Sequence, residues 1–139
     1  MITRQFVENE RAFVFRSGHI YEFNYTKFQH DPKPLILNLY SIRGQHPKTG
    51  HSHQYLLAIN LSYINRNNRR HFVKTWVENL IRTNGNVRVT YGKATKQFPY
   101  MIAATRKYLL ERNVIVNMKE IPLEEIGEAV VGTMYKDFS

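Results

Sequence analysis

The sequence predicts a single α+β domain, a small, strongly curved antiparallel sheet or SH3-like barrel with two amphipathic helices packed on it. Three patterns carry that reading. Residues 19–25 alternate in period two, with Tyr21, Phe23 and Tyr25 on one face and Glu22 and Asn24 on the other. Of two longer strand-like runs, 35–42 is apolar on both faces, as strands covered on both sides are, and 55–64 alternates only partly. Phe72, Val73, Trp76, Val77, Leu80 and Ile81 then recur at helical spacing. A chain of 139 residues is most simply one domain, and 42% hydrophobic content with 13% aromatic is ample for its core.

The predicted organisation is an N-terminal arm over 1–11, a β-core over 12–64, helices over 66–83 and 99–112, and an acidic C-terminal segment over 113–139. Ala12, Phe13, Val14 and Phe15 form a short β-rich run that stops at a Ser17-Gly18 turn. The aromatic face of 19–25 reads as core, base stacking being the other use of such a stripe. Asp31-Pro32 and Lys33-Pro34 impose extended or turn geometry before the next strand. Along 35–42, Leu35, Leu37 and Leu39 fall on one side and Ile36, Tyr40 and Ile42 on the other, which marks a central or doubly covered strand. Asn60 shares a face with Leu56 and Ala58, so it is expected to be buried and hydrogen-bonded.

Asn65 to Asn68 reads as a turn and helix N-cap, and Asn84-Gly85 as a left-handed terminator. Between them Trp76 lies in the apolar stripe, with Arg70, Lys74, Glu78 and Arg82 on the opposite face. Residues 87–91 read as a short strand and 92–97 as a basic loop. Pro99 suits the first turn of a second helix, with Met101, Ile102, Tyr108 and Leu109 as its stripe and Arg106, Lys107 and Arg112 toward its C-terminal half. A strand over 114–118, a short acid-started helix or turn over 121–126, and the aromatic anchors Tyr135 and Phe138 complete the chain.

Charge is distributed unevenly. Residues 1–31 balance, 32–110 hold thirteen Lys or Arg against the single acid Glu78, and 111–139 are net acidic, within a total of +9. A basic middle suits a polyanion such as DNA, an acidic protein surface, or a second copy's acidic end. Without cysteines the chain forms no disulfide, thiolate zinc site or cysteine nucleophile, which fits an intracellular origin. The first ten residues lack an apolar signal core, and no run approaches the roughly 20 apolar residues of a membrane span, so a soluble, unsecreted protein is expected.

His46, His51 and His53 fall in a loop with Gly44, Pro47 and Gly50 but without an acid or cysteine, which reads as a solvated hairpin loop, with no metal and no cofactor expected. Gly50-His51-Ser52-His53-Gln54 resembles a nucleophile elbow but lacks its final glycine. There is no Walker-type glycine loop, no carboxylate pair in the basic middle and no His-Glu-x-x-His, so a non-enzymatic protein is expected.

One order of short motifs covers about residues 18–138. Gly18, Tyr21, Phe23 and Tyr25 are followed by Pro34, Leu35 and Leu39, then Asn60, Leu61 and Tyr63, then Arg69 and Phe72. Arg106, Tyr108 and Leu109 follow, and last Glu120, Ile121 and Phe138. This order resembles a family of small proteins of large contractile-tailed bacteriophages, described as virion-associated or DNA-end-protecting. The chain departs from that pattern in its long loop from Arg43 to Gln54.

The resemblance implies a structural, non-enzymatic component of a tailed-phage particle, at the baseplate, neck or tail, found in the virion and in host cytoplasm during assembly. Its partners would be other phage structural proteins met through acidic surfaces, with DNA as the first alternative, a role at genome ends included, and inhibition of a host enzyme as the second. The residues expected to carry partner or nucleic-acid binding are Arg43, Lys48, Arg66, Arg69, Arg70, Lys93 and Lys96.

Overall fold

The structure, a computed structural model, describes residues 15–27, 31–45, 50, 52–111 and 113–132. The expected arm at 1–11, the run at 12–14, His46, Lys48, His51, Arg112, Tyr135 and Phe138 lie outside the described residues. Within them the chain is α+β. Strands β1 (Ile20–Tyr25), β2 (Leu35–Gln45) and β3 (Ser52–Asn60) lead into helix α1 (Arg66–Thr83) and the short helix α2 (Tyr91–Gln97). Strands β4 (Thr105–Leu109) and β5 (Ile115–Glu120) and helix α3 (Ile126–Gly132) follow. The sheet is antiparallel throughout, in the order β4-β3-β2-β1-β5. With β4 and β5 as its edges it is an open sheet, not a closed barrel.

β2 is the central strand, as its two apolar faces predict. On one face Leu35, Leu37 and Leu39 join Leu57 and Ile59 beneath Phe72, Trp76, Leu80, Phe98 and Met101. On the other, Ile36 joins Tyr21, Phe23, Leu56, Ala58, Tyr108, Ile115 and Met118. Tyr21, Phe23 and Tyr25 therefore serve the core: Phe15 meets Tyr21 edge-on at 4.8 Å, and Phe23 meets Tyr108 at 5.4 Å. The face assignment of 35–42 holds only as far as Leu39. A bulge lets Asn38 oppose Ala58 while Tyr40 opposes Leu57, so the extra residue reverses the alternation and turns Ile42 toward the helices.

α1 has the predicted limits because both its ends are capped by side-chain and backbone chemistry. Asn65 accepts the Asn68 N–H at 2.9 Å, and at the far end Asn84 adopts φ 55° and Gly85 φ 77° while the Gly85 N–H returns to the Leu80 carbonyl at 2.9 Å. Phe72 stacks on Trp76 at 5.7 Å, and Phe98 meets Phe72 edge-on at 5.4 Å. The Trp76 indole N–H donates to the Gly18 carbonyl at 2.8 Å, which ties the middle of α1 to the turn that starts β1. Ile81, counted in the apolar stripe, is instead 62% exposed.

Two expectations are corrected. Residues 99–112 form no helix: Pro99–Met101 is one 3-10 turn, after which Thr105–Leu109 pairs with β3 as an edge strand. Tyr108 and Leu109 fit a helical stripe, but they also fit a strand in which Tyr108 points to the aromatic face, and the free edge of β3 decides between the two. Residues 87–90 are in no strand. The Val89 N–H is taken by the Ser17 hydroxyl at 2.9 Å, and Thr90 caps α2 where a loop was expected.

The C-terminus of α1 is clamped to the sheet. The Gly85 carbonyl accepts from Arg16 Nη2 at 3.2 Å and from His19 Nε2 at 2.9 Å, which places a proton on that nitrogen and leaves Nδ1 facing Glu120 at 3.7 Å. The His19 side chain beside it holds the Glu120 carboxyl below its usual 4.5, against the opposing effect of burial. A folded-state value below the unfolded one contributes stability above 4.5 that is lost as pH falls through the folded value. His19→Ala is therefore expected to flatten the acid limb when the urea midpoint is followed from about pH 6 to pH 3. Gly18 supplies a second test. It has φ 80°, and a Cβ there would stand 2.3 Å from Val87 Cγ2. Gly18→Ala should cost roughly 2–4 kcal/mol in urea unfolding, from left-handed strain plus overpacking.

Candidate partner-binding face and polar cavity

The inward stripe of α1 takes Arg69, Phe72, Trp76 and Leu80, so the helix turns a row at i, i+4 spacing to solvent. That row reads Arg66, Arg70, Lys74, Glu78 and Arg82, all exposed. Beside it α2 exposes Lys93 and Lys96, and the connection before α2 exposes Arg88. Trp76, Asn79, Thr83, Arg88, Lys93 and Gln97 line a groove of about 270 Å³ between the two helices. Seven cations and one acid thus share the outward row of α1, the connection after it and α2. Of the residues expected to bind, Arg66, Arg70, Lys93 and Lys96 are brought together here. Lys74, Arg82 and Arg88 belong with them, and their basic character alone could have marked them.

Arg69 is a correction. It is 1% exposed, and its guanidinium donates through Nη1 to the Val130 carbonyl at 3.2 Å. Val130 lies toward the C-terminal end of α3, where a cation is favoured. Arg69 therefore joins α1 to α3 and presents no charge to a partner. Arg43 is exposed but stands apart, on the β2–β3 arm where it opposes Gln54, at the other end of β3 from α1. His53 was expected to have no acid near it, yet β4 ends beside it and brings Glu111 Oε1 to 3.2 Å from its Nδ1. No three His, Cys, Asp or Glu side chains among the described residues group as a metal site. No described helix is long and apolar enough to cross a membrane.

On the opposite face of the sheet lies a polar cavity of about 290 Å³. Its floor is Asn60, buried as expected: Nδ2 donates to Asp31 Oδ2 and, at 2.9 Å, to the Tyr108 hydroxyl, while Oδ1 accepts the Ser62 N–H at 3.0 Å. Asp31, read as a turn residue, is 4% exposed. Arg106, expected near a helix C-terminus, lies on β4 with Cζ 4.5 Å over the Tyr63 ring, its Nη1 donating to the Ala103 and Thr105 carbonyls. Lys27 and Lys107 complete the rim. The one sequence signal for this site was a lone asparagine in an apolar strand.

Neighbours in sequence, Arg69 and Arg70 are expected to separate in mutagenesis. Arg69→Ala should lose roughly 2–4 kcal/mol in urea unfolding, through a stranded carbonyl and an emptied buried volume, whereas Arg70→Ala should stay within about 0.5 kcal/mol. No family model, curated protein or solved structure matches this chain.

Proposed function

We propose that the chain is a non-enzymatic structural component of a tailed-phage particle, which docks through the basic face of α1 and α2 onto an acidic protein surface. The observation that carries this reading is the sorting of charge on α1: its one arginine on the inward stripe is spent on α3, while four of the five residues in the outward row are cations. Such a face steers and orients an acidic partner and needs no chemistry of its own. The aromatic stack beneath it holds the backbone of α1 against the sheet, so the positions from which the cations project are set. The placement in a phage particle rests on the resemblance, whose residues Gly18, Tyr21, Phe23, Leu35, Asn60, Phe72 and Tyr108 are buried in this chain.

DNA is the second reading, favoured by the groove between α1 and α2. Arg88 and Lys93 stand there with Asn79, Thr83 and Gln97, a mixture of cations and neutral donors that suits a phosphodiester backbone.

Charge reversal at Arg70 and Lys93 together tests both. The structural reading expects the wild-type protein in purified virions by mass spectrometry and the reversed variant to be lost from them. Absence of the wild type from virions overturns it. The DNA reading expects a duplex shift at about 150 mM salt that weakens steeply as salt rises and disappears in the variant; no shift at that salt overturns it.

A further inference from the structure

We propose that the cavity on the opposite face of the sheet, between Tyr25, Asn60 and Tyr108, binds the phosphate group of a small molecule. The inference starts from the direction of the hydrogen bonds around Asn60. A backbone N–H can only donate, so the contact from Ser62 fixes Oδ1 and with it the orientation of the whole amide. Nδ2 must then be the donor to Tyr108, whose oxygen accepts and whose own hydrogen is left over. Tyr25 repeats the arrangement. Its hydroxyl accepts the Leu109 N–H at 2.9 Å, and again the phenolic hydrogen is left to donate. The two rings meet edge-on at 5.0 Å and both residues line the cavity, so two phenols satisfied on their acceptor side stand at its wall. Burial raises the pKa of both phenols, so both remain protonated donors at neutral pH.

The charges agree. Among the described residues that line the cavity are three cations, Lys27, Arg106 and Lys107, and one carboxylate, Asp31, which accepts from Asn60, a balance of two positive charges. A phosphate monoester carries about −1.5 to −2 at pH 7 and presents three acceptor oxygens. A carboxylate presents two oxygens in one plane and a single charge, and so answers fewer of these donors. A volume of about 290 Å³ leaves space for a carrier group beyond the phosphoryl oxygens. The site is distinct from the basic helical face, since none of the residues that line it belongs to that face.

Titration of the 15N-labelled full chain with inorganic phosphate and with phenyl phosphate, read at the Asn60 side-chain amide and the Leu109 backbone amide, tests the proposal. Both probes are expected to give saturable shifts at these two groups. Tyr25→Phe, which keeps the ring, and Lys107→Gln, on an exposed side chain, should each weaken binding about tenfold, while Arg70→Ala leaves it unchanged. Any of three results would overturn the site: shifts that fail to saturate, equal shifts with acetate, or binding that survives both cavity substitutions and is lost in Arg70→Ala.

Discussion

β2 cannot be left bare on either side. Leu35, Leu37 and Leu39 point one way and Ile36 the other, and all four are buried. Each such side chain contributes roughly 1.5–3 kcal/mol when removed from water. A strand of this kind needs a neighbour on both edges and a layer on both faces, and the rest of the chain supplies them. β1 and β3 take its edges, and β5 and β4 extend the sheet outward. α1, α2 and α3 cover one face, and an edge-to-face aromatic group built on Tyr21, Phe23 and Tyr108 fills the other.

The orientation of α1 on that sheet determines where charge can appear. The Trp76 bond to the Gly18 carbonyl fixes the helix along its axis, and the Arg16 and His19 bonds to the Gly85 carbonyl fix its end. With Phe72, Trp76 and Leu80 committed inward, the phase of every other residue follows from 3.6 residues per turn. Arg69 falls three residues before Phe72 and is carried inside, where α3 gives it a carbonyl. Arg70, one position on, is carried outside. The basic face is thus a consequence of aromatic packing.

Local chemistry made much of this legible. α1 is written in the sequence by its caps, Asn65 and Asn84-Gly85, and by an apolar stripe between them; β1 is written in strict alternation. What stayed hidden depends on residues far away in sequence. β4 is decided by the vacant edge of β3, because Tyr108 and Leu109 satisfy a helical and a pleated pattern alike. The bulge at Asn38 and Tyr40 reverses the faces of everything beyond it, and alternation counted along the chain passes over it unseen. Arg69 and Arg70 look equivalent until the phase of the helix is known. The pairing of Asp31 with Asn60 spans 29 positions, and neither residue type announces it.

Asn60 is where these threads meet. A neutral amide can satisfy a backbone N–H, a carboxylate and a phenol at once, and an apolar residue in its place would take one bond from each of these three buried groups. Its oxygen caps the 3-10 turn Leu61–Tyr63, and that turn delivers the chain to Asn65, the cap from which α1 departs. Its nitrogen meanwhile holds Asp31 and Tyr108 at the floor of the polar cavity. One side chain therefore sets both the floor of the cavity on one face of the sheet and the point at which the charged helix leaves on the other. A buried asparagine in an apolar strand is costly unless every one of its bonds is used, and here the geometry uses them at the joint between the two candidate sites.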